Sequence, residues 1–200
     1  MEIKNIILDA LLESRDAVDK LIENEETIRA IAQSGSLIIE AFKKNNRIFS
    51  CGNGGSMCDS IHFAEELSGR YRDDRKGLPA IAIADPGHIT CVGNDYGYEY
   101  IFSRYLQAHA TGGDILVAIS TSGNSPNVVE AAKYARSKNI EVIALTGNVN
   151  CKLSAHTSIE ICTPVGRYAD RIQEVHIKVI HILIELVERA LFPENYSHKK

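Results

Sequence analysis

The sequence contains few cysteines, no excess of positive charge and no long uninterrupted apolar segment. Five cysteines in 200 residues are too few for a small disulfide scaffold, and an odd number cannot pair completely within one chain, so reduced thiols in the cytoplasm are expected. The formal net charge of −4 disfavours an extended contact with a nucleic-acid backbone. An anionic ligand must therefore be held by local donors.

Export and membrane insertion are disfavoured by the same sequence. The N-terminal segment MEIKNIILDALLESRD has early acidic residues and lacks the apolar core and cleavage site of a signal peptide. The most apolar late segment, residues 175–191, is interrupted by charged and titratable side chains, which a membrane span does not tolerate. With 44% hydrophobic residues, we expect a folded cytoplasmic protein with a substantial core.

The hydrophobic pattern changes at about residue 46. Before it, apolar residues recur at helical spacing and predict two helices, the second beginning at Asn24. After it, short apolar segments at 47–51, 80–84, 115–119 and 142–145 alternate with helical segments, followed by a possible strand at 159–162 and a long helix at about 169–191. This alternation predicts an α/β fold with a parallel five-stranded sheet covered by helices on both faces.

The predicted organisation has three parts. Residues 1–45 form an N-terminal helical pair, residues 46–192 one α/β domain, and residues 193–200 a polar tail. The helical pair has no sheet of its own, so its apolar faces pack either within the subunit or against another subunit. The sequence leaves both alternatives open.

Two predicted loops have the composition of phosphate-binding sites. Residues 51–56, CGNGGS, place three glycines between a strand and a helix, which lets backbone N–H groups face an anion, although such a turn is also common as a tight corner. Residues 120–125, STSGNS, offer four hydroxyls before Pro126, and the simpler alternative is that Ser125 only caps a helix. Neither loop ends in G-K-[ST] or reads G-x-G-x-x-G, which favours a small phosphorylated metabolite over a nucleotide.

Side chains suited to metal binding or acid–base chemistry recur on two predicted helices. Cys58, His62 and Glu66 are four residues apart and share one helix face, and Gln173 and His181 share a face of the last helix. The His, Glu and Gln side chains suit a divalent metal, whereas Glu66 and His181 also suit an acid–base pair. An ordinary solvent-exposed contact is the third alternative, and Cys58 is expected to be a packed small residue.

Other polar residues have less specific signals. His176 lies on another face of the last helix and is expected to be structural, whereas His88, beside Pro86, is expected in a loop. A basic cluster follows the His62 helix and is expected either to be solvated or to steer an anionic substrate. It consists of Arg70, Arg72, Arg75 and Lys76.

Five segments together resemble the phosphoheptose isomerases of the SIS (sugar isomerase) superfamily. They are SCGNGGS, HFAEELSGRY, CVGNDYGYEYIFSRY, ISTSGNSPNV and YADRIQEVHIKVIHILIE, and they occur in order across about residues 40–191. The ISTSGNSPNV segment alone indicates only an SIS domain. HFAEEL and DRIQEVHIKVIHILIE are much more specific to this family.

The resemblance implies a fold, a reaction and an assembly. The fold would be the SIS-type, flavodoxin-like, three-layer α/β architecture. The reaction would convert sedoheptulose 7-phosphate into D-glycero-D-manno-heptose 7-phosphate, the first step toward the heptose of bacterial lipopolysaccharide or capsule. The assembly would be a cytoplasmic homotetramer with active sites at subunit interfaces, with neither nucleic acid nor membrane as a partner.

The resemblance also implies roles for individual residues. Sugar-phosphate binding would fall to Asn53, Gly54, Gly55, Glu66, Asn94, Asp95, Ser120, Thr121, Ser122, Ser125 and Gln173. One zinc ion per subunit would be held by His62, Glu66, Gln173 and His181. Glu66 and His181 would form the acid–base pair, with Asp59, Asp95, Asp170 and Thr121 as weaker candidates for opening the sugar ring or orienting the pair.

The implied chemistry moves a proton between adjacent sugar carbons through an enediol. We expect Glu66 to remove the carbon-bound proton and His181 to assist the transfer. A zinc-bound carboxylate is a weaker base, so the metal either polarises the sugar oxygens or mainly organises the site.

Two other functions fit parts of this pattern. A non-enzymatic SIS module that senses a sugar phosphate or binds a protein needs the serine-rich loop, but it has no use for the His, Glu and Gln set. An SIS isomerase for a pentose or hexose phosphate is disfavoured by the HFAEEL and IQEVHIKVIHILIE segments.

Overall fold

The computed structural model describes residues 2–163, 166 and 168–197. Helices and strands alternate after an N-terminal helical pair. The helices are α1 (Ile3–Glu23), α2 (Glu25–Lys43), α3 (Gly55–Ser68), α4 (Pro86–Asp95), α5 (Ile101–His109), α6 (Pro126–Ser137) and α7 (Ala169–Leu191). The strands are β1 (Ile48–Cys51), β2 (Ala80–Ala82), β3 (Ile115–Ser120), β4 (Glu141–Thr146) and β5 (Ile159–Cys162).

The five strands form one parallel sheet in the order β2-β1-β3-β4-β5. The predicted α/β class and five-stranded parallel sheet are therefore confirmed. The strand order reverses between β1 and β3, whose residues Cys51 and Ala118 are directly paired. In doubly wound sheets, ligands bind at the carboxyl ends of the strands at such a reversal, so the loops after β1 and β3 lie where a ligand is expected.

Alternating residues of the buried strands point to opposite faces of the sheet and contribute to two hydrophobic cores. Ile48 and Val117 face the core built with α1, α2, α3 and α7, whereas Phe49 and Leu116 face the core built with α4, α5 and α6. Both faces of the central strands are covered, which explains their continuous apolar sequences. The long amphipathic α7 contributes Val175, Val179 and other residues to the first core and packs against both α2 and α3.

The N-terminal helices differ in how much they bury. The Asn24 side chain accepts a hydrogen bond from the Thr27 amide at 3.0 Å and so begins α2, as the sequence predicts. One face of α2 is buried against the sheet domain. By contrast, α1 buries only Ala17 and Leu21, and its first half leaves large apolar side chains exposed.

Some predicted boundaries and one predicted loop differ from the structure. Strand β2 ends at Ala82 instead of residue 84, while β4 extends one residue further at each end than predicted. The segment after β2 is the helix α4, so the prediction of a loop at His88 is wrong. Asp85 caps this helix, accepting from the His88 amide at 2.6 Å, and Pro86 occupies its first turn.

The predicted polar tail begins with a short 3₁₀ helix at Pro193–Tyr196, in which the Tyr196 hydroxyl donates to Glu188 at 2.9 Å. Residues 198–200 of that tail lie outside the described residues. Across the part of the chain that the structure describes, no helix combines the length and the apolar character needed to cross a bilayer.

Candidate functional site

The glycine-rich loop connects the end of β1 to the beginning of α3. Gly54 adopts φ 56° and ψ −123°, a conformation that side chains disfavour, and it immediately precedes the first residue of α3. The first N–H groups of a helix have no partner within the helix and carry the positive end of its dipole. The loop therefore presents backbone donors to an anion at the strand-order reversal.

A partly buried pair of amide side chains joins this loop to the beginning of α6. The Asn53 and Asn127 side chains donate to each other, both at 2.8 Å, and the Tyr98 hydroxyl donates to Asn53 at 3.1 Å. Asn127 is 1% exposed. Sequence reasoning missed Asn127 and Tyr98, since only the tertiary structure brings them to Asn53.

The serine-rich loop connects β3 to α6 and lies beside the glycine-rich loop. Ser125 precedes α6, but its side chain makes no capping hydrogen bond; its hydroxyl instead accepts from Ser120 at 3.1 Å. The simpler interpretation of Ser125 as a helix cap is therefore wrong. The Ser122 hydroxyl accepts from the Asn124 amide at 3.1 Å, so it shapes the loop.

Gly123 fixes the path of the serine-rich loop. Its φ is +64°, and a Cβ at this position would lie 2.1 Å from the sulfur of Cys151. The Leu153 amide also donates to the Gly123 carbonyl at 3.0 Å. The segment after β4 thus packs closely against the serine-rich loop. This close approach and the positive φ together require glycine at position 123.

Three predicted metal ligands converge between α3 and α7. The Nε2 atoms of His62 and His181 are 3.4 Å apart. His62 Nε2 lies 3.1 Å from Glu66 Oε1, and His181 Nε2 lies 3.6 Å from Glu66 Oε2. Among the described residues, they are the one group of three or more His, Cys, Asp or Glu side chains whose ligand atoms all lie within 4.8 Å of one another.

This donor set fits a divalent metal. Glu66 Oε2 is buried and has no hydrogen-bond partner among the described residues, which a cation would compensate. Ligand atoms at zinc distances of about 2.0–2.1 Å in a tetrahedron lie roughly 3.3 Å from one another. The separations of His62 Nε2 from His181 Nε2, 3.4 Å, and from Glu66 Oε1, 3.1 Å, are close to this value. Two imidazole nitrogens and a carboxylate also suit zinc chemically.

Gln173 lies two turns before His181 on α7. A Cβ at Gly55 would come within 2.6 Å of the Gln173 amide, so the lack of a side chain at Gly55 makes room for it. The glutamine is thus adjacent to the beginning of α3, where the glycine-rich loop ends. It shares a helix face with His181, but the contact that the structure shows for it is with Gly55 and not with the His–Glu–His cluster.

Several predicted site residues lie outside the two loops and the His62, Glu66 and His181 cluster. Asn94 and Asp95 are exposed at the end of α4, where the Asn94 amide donates to Asp95 at 2.7 Å. Asp170 is exposed and paired with Arg171. Cys58 is exposed and lies outside the metal cluster, so the expectation of a packed cysteine is wrong.

Burial shifts the pKa values of several titratable groups around α3 and the sheet. It raises the pKa of Asp59 to about 6, and the nearby His62 opposes this increase. It lowers the pKa of His176 to about 4, although the hydrogen bond to the Thr146 carbonyl opposes this, and His176 is fully buried as expected of a structural residue. Burial raises the pKa of the Cys51 thiol far above its usual range, so this cysteine is unreactive.

The predicted basic cluster separates into two kinds of residue. Arg72 pairs with Glu185 at 2.8 Å, and Arg75 is buried against Glu188, so the prediction of a solvated or steering cluster is wrong for Arg75. Tyr71, which the sequence did not single out, stacks on His181 with ring centroids 5.9 Å apart.

Comparisons with known proteins agree with this architecture. The SIS domain family matches residues 12–147. The phosphoheptose isomerase of Histophilus somni (strain 2336) is 54% identical over 178 residues, which cover 89% of this chain and 91% of that protein. The phosphoheptose isomerase of Proteus mirabilis (strain HI4320) is 50% identical over 188 residues, which cover 94% of this chain and 98% of that protein.

Solved structures extend the agreement to three dimensions. The phosphoheptose isomerase structure from Neisseria gonorrhoeae superposes with a TM-score of 0.86 at 35% identity, covering 94% of this chain and 99% of that chain. The structure of a phosphoheptose isomerase from Francisella tularensis superposes with a TM-score of 0.88 at 32% identity, covering 94% and 100%.

Proposed function

This chain belongs to the phosphoheptose isomerase family of SIS-domain proteins, and on that premise we propose that it converts sedoheptulose 7-phosphate into D-glycero-D-manno-heptose 7-phosphate. The observation that carries the proposal is the convergence of His181, on α7, with His62 and Glu66 on α3, the helix that begins at the glycine-rich loop. A sensor module needs no such cluster. The product would supply heptose for lipopolysaccharide or capsule.

The two ends of the substrate would occupy different parts of the site. The phosphate would be bound by the backbone of Asn53, Gly54 and Gly55 and by the serine-rich loop, through Ser120, Thr121, Ser122 and Ser125. His62 follows Gly55 by about 10 Å along the helix axis, at 1.5 Å per residue. An extended sugar phosphate held at the loop therefore reaches the cluster with its other end, while Gln173, beside Gly55, would contact the hydroxyls between. Asn94 and Asp95, at the exposed end of α4, are further proposed substrate contacts.

Glu66 and His181 would exchange the proton. Isomerisation removes a proton from one sugar carbon and returns one to its neighbour, while a second proton moves between the oxygens. Glu66 lies between the two imidazoles, and the carboxylate oxygen that does not hold the metal would act as the base. His181 would transfer the oxygen-bound proton through its other ring nitrogen, because its Nε2 faces the metal position between His62 and Glu66.

One zinc ion per subunit would be held by His62, Glu66 and His181. Gln173, the fourth ligand that the resemblance implies, packs on Gly55 and would have to leave that contact to join them. A bound zinc would supply positive charge beside the developing enediolate. Glu66 Oε1 faces His62 and Oε2 faces His181, so one oxygen can serve as a ligand while the other remains available as the base.

We also propose a cytoplasmic homotetramer with active sites at subunit interfaces. The exposed apolar side chains of α1 support an assembly, since a single water-exposed helix face this apolar is unfavourable. The half-exposed imidazoles of His62 and His181 leave the cluster open toward solvent in one subunit. This openness is consistent with a neighbouring subunit completing the site.

The reaction is tested by incubating the purified protein with sedoheptulose 7-phosphate and following the sugar by NMR, with and without a chelator. We expect the aldose signals of the product to appear, and to appear more slowly after chelation. Absence of conversion under both conditions, including after zinc is added, would overturn the proposal. Fructose 6-phosphate serves as the matched control substrate and should be converted much more slowly.

A further inference from the structure

The loop after α3 follows one face of α7. Tyr71 stacks on His181, the Arg72 guanidinium pairs with Glu185, and Arg75 Nε donates to Glu188 at 2.8 Å. His181, Glu185 and Glu188 are four and three residues apart, so they form a single row along the helix. The loop therefore fastens the end of α3 to the helix that carries His181.

Arg75 is the buried part of this connection. The side chains of Arg75 and Glu188 are each 1% exposed, and theirs is the one ion pair among the described residues in which both partners are buried. The other Glu188 oxygen accepts from the Tyr196 hydroxyl at 2.9 Å. Both carboxylate oxygens are thus satisfied, as a buried charge requires.

The same guanidinium also caps α3. Arg75 donates to the carbonyls of Glu66, Leu67 and Gly69, which lie at the end of the helix and lack partners within it. Its positive charge is favourable at the negative end of the helix dipole. One side chain therefore holds the backbone of Glu66 and, through Glu188, the helix of His181.

We propose that Arg75 is a positioning residue, which fixes the Glu66 carboxylate relative to His181 by clamping the ends of α3 and α7 together. At the other end of the two helices, Gln173 packs on Gly55, so the cluster lies between two fixed contacts. Arg75 contacts neither the phosphate loops nor the cluster atoms. Its effect is therefore expected on the reacting end of the site and not on phosphate binding.

The inference rests on the proposed isomerase reaction for its kinetic measurement and is tested with Arg75→Lys. Lysine keeps the charge but loses the fork that bonds several carbonyls and Glu188 together. We expect kcat and the affinity for cobalt(II), used as a spectroscopic probe, to fall at least about tenfold, as for residues that orient metal ligands, while KM stays within about twofold. Both are measured well below the melting temperature.

Arg47→Lys is the matched control. Arg47 pairs with Asp114, whose side chain is 2% exposed, at the amino ends of β1 and β3, on the edge of the sheet opposite to the site. It should lower the melting temperature without changing kcat or cobalt affinity. If Arg75→Lys, like Arg47→Lys, lowers the melting temperature but leaves kcat and cobalt affinity unchanged, the positioning role is overturned and Arg75 is purely structural.

Glu188→Gln tests the same clamp from α7 and decides the question if Arg75→Lys does not fold. It keeps the shape and removes the charge, so a smaller decrease in kcat and cobalt affinity is expected, whereas values equal to those of Arg47→Lys would overturn the proposal. A wild-type protein that binds cobalt but does not convert the sugar phosphate would contradict the proposed function alone. In that case, weaker cobalt binding by Arg75→Lys would still support the clamp.

Discussion

The two oxygens of Glu66 have different surroundings. Oε1 lies 3.1 Å from His62, whereas Oε2 is buried, lacks a partner among the described residues and faces His181 at 3.6 Å. The sequence alone suggested a conflict, since a ligand carboxylate is a poor base. Separate oxygens reduce that conflict, because each can have its own role.

Glu66→Gln is therefore expected to abolish proton removal while leaving the fold intact. Glutamine keeps the shape and an oxygen but is not basic at neutral pH, so we expect kcat to fall by at least about 100-fold. Steady-state kinetics with a thermal melt for each variant measure this. Glu65→Gln, on the neighbouring exposed residue, is the control and should retain wild-type activity. Near-wild-type turnover by Glu66→Gln would contradict the assigned base.

His176 predicts a loss of stability in acid. Its pKa falls from 6.5 to about 4 on burial, so between these values the unfolded chain binds a proton that the folded chain excludes. The stabilisation is complete above pH 6.5 and decreases as the pH falls toward 4, by up to about 3 kcal/mol. His176→Gln keeps a donor for the Thr146 carbonyl but does not titrate, so its free energy of unfolding in urea should lack this decrease between pH 6.5 and 4.

The pKa shift of Asp59 changes the stability of the fold with pH in the direction opposite to that of His176. Burial raises its pKa to about 6, so its contribution is present at low pH and is lost as the pH rises through 6. In His176→Gln this contribution is no longer opposed, and stability should rise slightly as the pH falls from 6.5 to 4.5. His109 is exposed, so His109→Gln is the control, and its free energy of unfolding should depend on pH as in the wild type. The same pH dependence in His176→Gln would show that His176 does not couple stability to pH.

At the scale of elements, two helices begin at the proposed phosphate site. The loops before α3 and α6 are neighbours because β1 and β3 are paired, and the Asn53–Asn127 amide pair joins them. The donors of two helix ends and of several hydroxyls are thus brought together without a basic side chain. This arrangement explains how a chain with net charge −4 can bind a phosphate.

Ser125→Ala separates phosphate binding from helix capping. Loss of a hydroxyl that caps a helix costs about 0.5–2 kcal/mol of stability. Ser125 makes no such cap, so we expect an almost unchanged melting temperature. Loss of a hydrogen bond to a charged phosphate, about 1.5–3 kcal/mol, should instead raise KM roughly 10- to 100-fold with little change in kcat.

The control for this variant is Ser137→Ala, which removes a hydroxyl bonded to the Tyr134 carbonyl at the far end of α6. Its KM should equal that of the wild type. A lower melting temperature with unchanged KM in Ser125→Ala would show that the serine serves the helix and not the substrate.

The elements that the sequence predicted best are those with strong local patterns. The bounds of α7 and β5 agree with the prediction, because a long amphipathic helix and a short apolar strand have clear periodicities. Helix α4 was missed because Pro86 and Gly87 suggested a turn, although Asp85 followed by proline also marks a helix beginning. Local signals were ambiguous there, and tertiary packing selected the helix.

At the scale of the whole molecule, the sequence predicted the center of the site better than its surroundings. The spacing of His62 and Glu66, the spacing of Gln173 and His181, and the two loops were visible because each lies within one element. Tyr71, Asn127 and the burial of Arg75 were not, because their partners are distant in sequence and only the packing of α3, α6 and α7 brings them together. The resemblance supplied the family, which the comparisons confirm.

The exposed side of α1 leads to the last prediction, which concerns assembly. Ile3, Ile7 and Leu11 follow one another by four residues and are 77%, 55% and 62% exposed, so they form an apolar row on a helix that buries little in its own subunit. We expect light scattering to give the wild type a mass four times that of the 22.0 kDa chain. Ile7→Glu with Leu11→Glu should yield smaller species with a lower melting temperature and reduced activity, because charges in an apolar contact are costly. Asn5→Glu adds negative charge to an exposed position on another side of the same helix and should remain tetrameric. A monomeric wild type, or a double variant with unchanged mass, would show that this row does not hold subunits together.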